Sequence, residues 1–462
     1  MSTTNDNHYY QSIIDMGRAF YDWEVLLINL GCKKGDIDLK TPNDRIDDNS
    51  IKDFTKFVHE YIHYLQNFST NWGVPVYTDF LLSFMKMGAS SLQNEDLSFP
   101  LNKEDIEAEL LKDSISLREN VLSRLSKNGN QSGSVQGEYS NIKREYNENG
   151  PVILSNGKIS CEIGLKCIRE HMAHLGVELF FGNSDTDIHE KHKALSFSNE
   201  EGQLIQYPEY WIVFEHFFSN FSLKNVGKGT FFLAQECLTR LNPDEAFKRF
   251  LDWFERSGEM YILNNDLPSI VDKWLNLPQE IYSYQFSCNE AIKHVNNILE
   301  LCKKHKNEHD VYRFGEPILE YAIRNLYETK GGRTLFKPNA NFSSVLFWKK
   351  LVEKFGTGIL VYKESGDLAI HGTPEHCDKM YDSFLYALAM GVISNKLFTG
   401  RLGTCPFLED LPICHCEFKE QDNCYKNPFL VTDTDTDGKV CLFRGGVQLL
   451  GMESRLNFHN ND

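Results

Sequence analysis

Residues Ser50–Thr70 read SIKDFTKFVHEYIHYLQNFST, and this stretch predicts both a long helix and the chemistry of the chain. It contains the pattern HExxH, in which His59 and His63 stand four residues apart and Glu60 follows the first of them. On a helix, residues i and i+4 lie on one face, close enough to bind the same metal ion. Glu60 would lie beside that face, where its carboxylate can take a proton from an attacking water.

Local signals favour a helix over this whole stretch. Ser50 is a good N-cap, Asp53 complements the dipole of the first turn, and neither Pro nor Gly interrupts the run before Gly73. The two histidines lie away from an apolar stripe at helical spacing, and other polar residues share their face. We therefore expect one face in the core and the other in a wet cleft. The stripe is Ile51, Phe54, Val58, Ile62 and Leu65, and the polar face adds Lys52, Lys56, Gln66 and Thr70. An amphipathic helix with two solvated histidines is the alternative.

Composition limits the class of protein. The chain has 462 residues, of which 41% are hydrophobic and 13% aromatic, so it can form a large core. The net charge of −17 argues against nucleic acid or an anionic membrane as the main partner. No basic stretch followed by an apolar one begins the chain, and the apolar run Phe384–Ser394 is too short to span a bilayer. A cytoplasmic protein is expected, with its twelve cysteines as thiols or metal ligands.

Periodicity predicts an α+β fold that is mostly helical and has a small N-terminal sheet. Strands are predicted at Glu24–Leu30 and Asp36–Lys40, joined as a hairpin, and further hairpins at 152–160 and 358–371. Beyond residue 200, predicted helices are Tyr207–Asn220, Thr230–Leu241, Pro243–Ser257, Cys288–Lys304, Gly315–Thr329, Asn341–Phe355 and Thr373–Lys396. Three regions are expected: 1–185 around the metal-binding helix, with a polar insertion at about 90–150; a mainly helical region at 186–397; and a Cys-rich tail at 398–462.

A second polar stripe is predicted on the helix Ile163–Phe181. Glu170, His174 and Glu178 recur at i, i+4 and i+8, so they share one face. A catalytic zinc ion takes three protein ligands and leaves one position for water. His59 and His63 would supply two. No third histidine follows nearby, since positions 66 and 69 are Gln and Ser, so the third ligand must come from elsewhere.

The HExxH helix and the later Glu170-x-x-x-His174 resemble the zincin metallopeptidases, in particular the gluzincin branch. The resemblance covers two helices, and it implies a zincin-like core with Zn²⁺ as the cofactor and Glu170 as the third ligand. His174 stands where that branch often has an acid that orients a ligand histidine, so it could orient a ligand or be one. Glu178, Glu215 and His216 remain alternatives for the third ligand.

We therefore expect a zinc-dependent hydrolase, most simply a metallopeptidase that cleaves a protein or peptide substrate with Glu60 as general base. The alternatives are a non-catalytic interaction protein stabilised by zinc, and a hydrolase of a non-peptide amide or ester. If Glu170 is a ligand, its oxygens should lie within about 4–5 Å of both imidazoles. An oxyanion donor is also needed, and the sequence does not select among Tyr207, Tyr210, His216 and His371.

The tail contains a second group of candidate metal ligands. Cys405, Cys414, Cys416 and Cys424 lie within twenty residues, with His415 among them and Cys441 beyond. In a reducing compartment such a group predicts a structural zinc site, and scattered thiols are the alternative. Asp433–Gly438 resembles the start of a calcium loop, but Arg444 stands where a bidentate Glu is needed, so a hairpin turn is expected there.

Overall fold

The computed structural model describes residues 20–22, 26–32, 51–93, 143–146, 152–155, 160–180, 223–258, 266–362 and 367–399, with positions 35, 37, 39, 218, 221, 405, 443, 446 and 447. These residues are mainly α-helical with two small sheets, which confirms the predicted α+β, mostly helical class. The predicted division at residues 185 and 397 stays a prediction.

Most helices follow the predicted order, with differences at their ends, and the helix Leu267–Leu275 has no predicted counterpart. They are α1 (Ile51–Ser69), α2 (Gly73–Gln93), α3 (Leu165–Phe180), α4 (Leu223–Leu238), α5 (Pro243–Trp253), α6 (Leu267–Leu275), α7 (Pro278–His305), α8 (Asp310–Thr329), α9 (Val345–Phe355) and α10 (Pro374–Thr399). A π-helical turn at Phe254–Gly258 continues α5. None of these helices has the length and apolar character that crossing a bilayer requires. The predicted helix Tyr207–Asn220 and most of the polar insertion lie outside the described residues.

A four-stranded sheet pairs strands that lie more than three hundred residues apart in sequence. Its order is β1 (Phe20–Asp22), β2 (Leu27–Asn29), β6 (Ile359–Tyr362) and β7 (Asp367–Ala369). β2 pairs with β1 antiparallel and with β6 parallel, while β6 and β7 form the hairpin predicted at 358–371. The hairpin predicted between Glu24–Leu30 and Asp36–Lys40 is wrong, because β1 and β6 already occupy both edges of β2.

A second sheet leads directly into α3. Its strands are β3 (Lys143–Tyr146), β4 (Val152–Ser155) and β5 (Ser160–Ile163), all antiparallel. The hairpin β4–β5 confirms the one predicted at 152–160, although its second strand continues to Ile163. One residue, Gly164, separates β5 from α3, so the sheet fixes where α3 begins.

Helix α1 lies at the centre of the core, where it packs against α2, α3, α8 and the first two strands. Its last carbonyls have no partners within the helix, and α8 supplies them. Asn325 Nδ2 donates to the Phe68 carbonyl at 3.2 Å, and Thr329 Oγ1 donates to the Ser69 carbonyl at 2.8 Å. Tyr61 donates its hydroxyl to the Gly356 carbonyl at 3.0 Å. These bonds fix the helix that carries the HExxH pattern.

The polar face of α1 is more buried than a wet cleft would allow. Gln66 and Thr70 are fully buried, and His63 is 5% exposed, whereas Lys56 and His59 remain partly exposed. The expectation of a solvated face is therefore wrong for the C-terminal half of the helix. The physical reason is that α3 packs along α1 and meets its polar stripe with polar groups of its own.

The two helices approach closely at Gly176. A Cβ atom at this position of α3 would overlap the Cδ1 atom of Ile62 in α1. Because Ile62 is fully buried, it has little room to move aside. The missing side chain at Gly176 thus sets the distance between the helices that carry the candidate ligands.

Candidate metal centre

Side chains from α1 and α3 converge where the two helices pack. The Glu170 Oε2 atom lies 3.3 Å from His63 Nε2 and 3.8 Å from His59 Nε2. The imidazole centroids of His59 and His63 are 4.9 Å apart. One carboxylate therefore reaches both imidazoles, within the 4–5 Å that the sequence argument requires of a third ligand.

The two Glu170 distances are compatible with one shared metal ion. Each ligand atom of a tetrahedral zinc site lies about 2 Å from the ion, so neighbouring ligand atoms are about 3.3 Å apart. The separation between Glu170 and His63 is close to that value, and the separation between Glu170 and His59 needs only a small side-chain adjustment. Two imidazoles and one carboxylate are also a donor set that zinc binds.

Glu60 lies at the same centre. Candidate donor atoms of His59, Glu60 and His63 all lie within 4.8 Å of one another. Glu60 is 7% exposed, so its carboxylate is held among protein groups and not in bulk solvent. This placement is compatible with the predicted role of a general base beside two metal ligands.

His174 contributes a further donor. Its ring centroid lies 4.8 Å from that of His59, and donor atoms of His59, Glu170 and His174 form a second group within 4.8 Å. Both candidates on α3 thus lie at this centre. Glu170 approaches the imidazoles of His59 and His63, and His174 lies beside that of His59. The two groups share His59, and Glu170 of the second lies 3.3 Å from His63 of the first.

Charge and burial act against each other at this centre. Burial alone would raise the pKa of Glu170. The net shift is well downward, because His63 acts through its charge and a hydrogen bond, and His59 and His174 act through their charges. Burial and then the neighbouring His174 and His63 lower the pKa of His59. Burial lowers the pKa of His63 too, but Glu170 and Glu60 outweigh it, so the net shift is upward. In the absence of metal, Glu170 thus favours the protonated form of His63.

The centre also includes Gln66, which helical spacing places on the same face as the histidines. Its side chain hydrogen-bonds with His63 Nδ1 at 2.9 Å and donates to the Arg169 carbonyl at 2.9 Å. The available signal was its spacing, since a residue three positions after His63 lies on the same face.

The remaining candidates are not part of this centre as described. His371 hydrogen-bonds with Tyr362 and Thr357 near the β6–β7 hairpin. Cys405 is buried in the tail. The other candidates lie outside the described residues, or have side chains that do, so their roles stay predictions. They are Glu178, Tyr207, Tyr210, Glu215, His216, Cys414, His415, Cys416, Cys424, Cys441 and the turn at 433–438.

Comparison with known proteins gives no relative. The chain matches no protein-family model, no curated protein and no solved structure. Function must therefore be argued from the geometry of the centre alone.

Proposed function

We propose that this protein is a zinc-dependent hydrolase, and that α1 and α3 form a zincin-like core in which His59, His63 and Glu170 hold the ion. The observation that carries the proposal is the position of Glu170. It comes from a helix about a hundred residues away in sequence, yet its carboxylate lies 3.3 and 3.8 Å from the two imidazoles of the HExxH pattern.

The chemistry follows from the residues around that position. When bound, zinc would lower the pKa of water and polarise a substrate carbonyl. Glu60 accepts a proton from the attacking water while the water oxygen bonds to the carbonyl carbon. When the carbon–nitrogen bond breaks, Glu60 returns the proton to the leaving nitrogen. The base is thus restored, and one water is consumed for each bond cleaved.

A peptide is the substrate that the surroundings favour. The sheet formed by β1, β2, β6 and β7 lies beside α1, and β1, which contacts α1, is one of its two edge strands within the part of the chain that is described. An edge strand presents unpaired backbone groups that can hold an extended peptide by strand addition. Esters and small amides offer no such row of backbone partners.

A non-catalytic zinc site is the second candidate, and His174 favours it. With His59, His63 and Glu170, His174 would complete four protein donors, which is the closed arrangement of structural zinc sites. In that case no coordination position would remain for water. Glu60 would then have no chemical role.

The variant Glu60→Gln separates these candidates. Zinc-loaded wild-type protein is incubated with a library of random peptides, and new chain ends are identified by mass spectrometry, with small esters and amides in parallel. We expect peptide cleavage by the wild type and a loss of at least about 100-fold in rate for Glu60→Gln, because an amide cannot accept the proton. The zinc content should stay the same, because Glu60 is not a ligand.

Glu300→Gln is the matched control. Glu300 is exposed on α7, and its replacement by Gln removes one negative charge, as Glu60→Gln does. It should cleave at the wild-type rate. The hydrolase proposal would be contradicted if the zinc-loaded wild type cleaved nothing, or if Glu60→Gln had unchanged turnover. A structural zinc site would then be the remaining candidate. Cleavage confined to the esters or small amides would exclude the peptidase assignment.

A further inference from the structure

We infer that Gln66 is a positioning residue of this centre: it fixes the tautomer of His63 and so directs the Nε2 lone pair of that ring toward the metal position. The inference rests on the proposed metal site and adds to it a residue outside the HExxH pattern. It stands on three consecutive contacts, from the Arg169 carbonyl through the Gln66 amide to the His63 ring.

The first contact fixes the orientation of the Gln66 amide. A backbone carbonyl accepts hydrogen bonds and cannot donate them, so the group that faces Arg169 must be the NH2 of the side chain. Its Nε2 lies 2.9 Å from the Arg169 oxygen. The opposite orientation would bring two acceptor oxygens together. The Oε1 atom of Gln66 must therefore face His63.

The second contact then fixes the proton on the imidazole. Gln66 Oε1 lies 2.9 Å from His63 Nδ1 and is only an acceptor, so His63 Nδ1 must carry the hydrogen and donate it. In a neutral imidazole the other nitrogen, Nε2, then carries the lone pair. This is the atom that lies 3.3 Å from Glu170. Nδ1 keeps its hydrogen whether Nε2 binds a proton or a metal ion.

Burial makes this arrangement specific to Gln66. The side chain is fully buried, so solvent has no access to replace either hydrogen bond. A metal-binding histidine commonly donates the N–H of its second ring nitrogen to an oxygen of this kind. This hydrogen bond fixes the ring orientation and increases the basicity of the nitrogen that binds the metal. The amide also holds the backbone of Arg169, next to the candidate ligand Glu170. One side chain thus orients a ligand on α1 and holds the backbone beside a ligand on α3.

Two variants distinguish a role of Gln66 in positioning the His63 ring from a role that only links α1 to α3. Gln66→Met removes both hydrogen bonds at similar volume. Gln66→Glu keeps an acceptor for His63 Nδ1 but loses the donor to Arg169. We expect zinc affinity, measured by competition with a chelator, to fall about 10- to 100-fold in Gln66→Met and to stay within about threefold of wild type in Gln66→Glu. The melting temperature should fall in both variants, because both lose the link to α3.

Cobalt substitution gives a second readout that does not depend on turnover. The spectrum of the His59→Ala chain is subtracted so that only this centre contributes. Gln66→Met should shift the visible Co²⁺ bands, whereas Gln66→Glu should reproduce those of the wild type, since band positions report ligand geometry. Gln235→Met is the matched control, because Gln235 is a buried glutamine whose amide donates to the Arg333 and Phe336 carbonyls. It should lose stability and keep zinc affinity.

The outcomes are distinct. Wild-type zinc affinity in Gln66→Met would overturn the positioning role and leave the proposed function intact. An equal loss of zinc affinity in Gln66→Met and Gln66→Glu would also overturn the positioning role, because the hydrogen bond to Arg169 would then account for the effect of Gln66 on zinc binding. A wild-type chain that binds no zinc at this centre would overturn the proposed function, and the role of Gln66 with it.

Discussion

Glu170 is the residue that connects the two candidate helices chemically. Its carboxylate is 20% exposed, and its pKa lies well below the usual value because His63, His59 and His174 surround it. A buried carboxylate is costly unless charge or hydrogen bonds compensate it. In the metal-free protein the imidazoles provide this compensation, and in the proposed zinc form the ion would do so.

His376 is a buried histidine that belongs to neither group of candidate metal ligands. Its ring packs 4.6 Å from that of Tyr321, and its Nε2 donates to the Thr357 carbonyl at 3.3 Å. Its buried Nδ1 has no hydrogen-bond partner among the residues that are described. Burial lowers the pKa of His376 to about 4, although the bond to Thr357 opposes the shift.

Protonation of His376 should therefore destabilise the protein. Between the folded pKa of about 4 and the unfolded value near 6.5, the unfolded chain binds more protons, so stability falls as the pH falls. From pH 7 to pH 5, the free energy of unfolding should decrease by roughly 2 kcal/mol more in the wild type than in His376→Gln, which keeps a donor for Thr357. Chemical denaturation with chelator present measures the difference. Equal pH dependence in the two proteins would refute it.

At the residue scale, the sequence predicts which side chains share a helix face better than it predicts their hydrogen-bond partners. Spacing places His59 and His63 on one face of a helix, and Glu170 and His174 on one face of another, but the choice of Glu170 as third ligand comes from the resemblance to gluzincins. The bonds of Gln66 and the position of His174 beside His59 are beyond such reasoning, because they depend on how two helices rotate against each other. Spacing within a helix carries no information about that rotation.

At the scale of elements, the spacing between α1 and α3 decides whether the donors meet. Gly176 permits the close approach, since a side chain there would overlap Ile62. A comparable contact exists where Gly229 of α4 faces Leu267 of α6. A larger side chain at either glycine would therefore cause a similar steric overlap. At Gly176 the overlap lies between α1 and α3, and at Gly229 it lies between α4 and α6.

Gly176→Val should weaken zinc binding as well as the fold. We expect a loss of about 1–3 kcal/mol in the free energy of unfolding from overpacking, and zinc affinity reduced about tenfold because Glu170 moves relative to the imidazoles. Gly229→Val should cost similar stability and leave zinc affinity unchanged. Denaturation and chelator competition on both variants provide the comparison. A Gly176→Val chain with wild-type zinc affinity would mean that helix spacing does not control the centre.

Periodicity predicts most helices but not the sheet pairing. Long amphipathic segments such as α1 and α8 are found from their apolar spacing, although α8 begins at Asp310 and not at the predicted Gly315. The start of α7 at Pro278 is missed because its first half is mostly exposed or half-buried and lacks a clear apolar stripe, and α6 is missed entirely. The hairpin at Glu24–Leu30 is wrong because the partner of β2 comes from more than three hundred residues later, which no local pattern indicates.

At the scale of the whole molecule, distant segments hold α1 in place. Its carbonyls are bound by Asn325 and Thr329, and its tyrosine hydroxyl by the carbonyl of Gly356. Buried Glu280 of α7 pairs with Arg249 of α5 at 2.8 Å and with Arg240, in the turn after α4, at 3.9 Å, which adds a further link between these segments. The candidate centre thus depends on a core assembled from most of the described chain.

The central claim is that α1 and α3 meet across one metal ion, and zinc content tests it most directly. Elemental analysis is done on purified wild type, His59→Ala and Glu170→Ala after exchange into metal-free buffer, with zinc added and excess removed. Any zinc in the Cys-rich tail is common to all three proteins and cancels in the comparison. The account predicts that the wild type holds about one zinc ion per chain more than either variant. Equal zinc in all three proteins would contradict it.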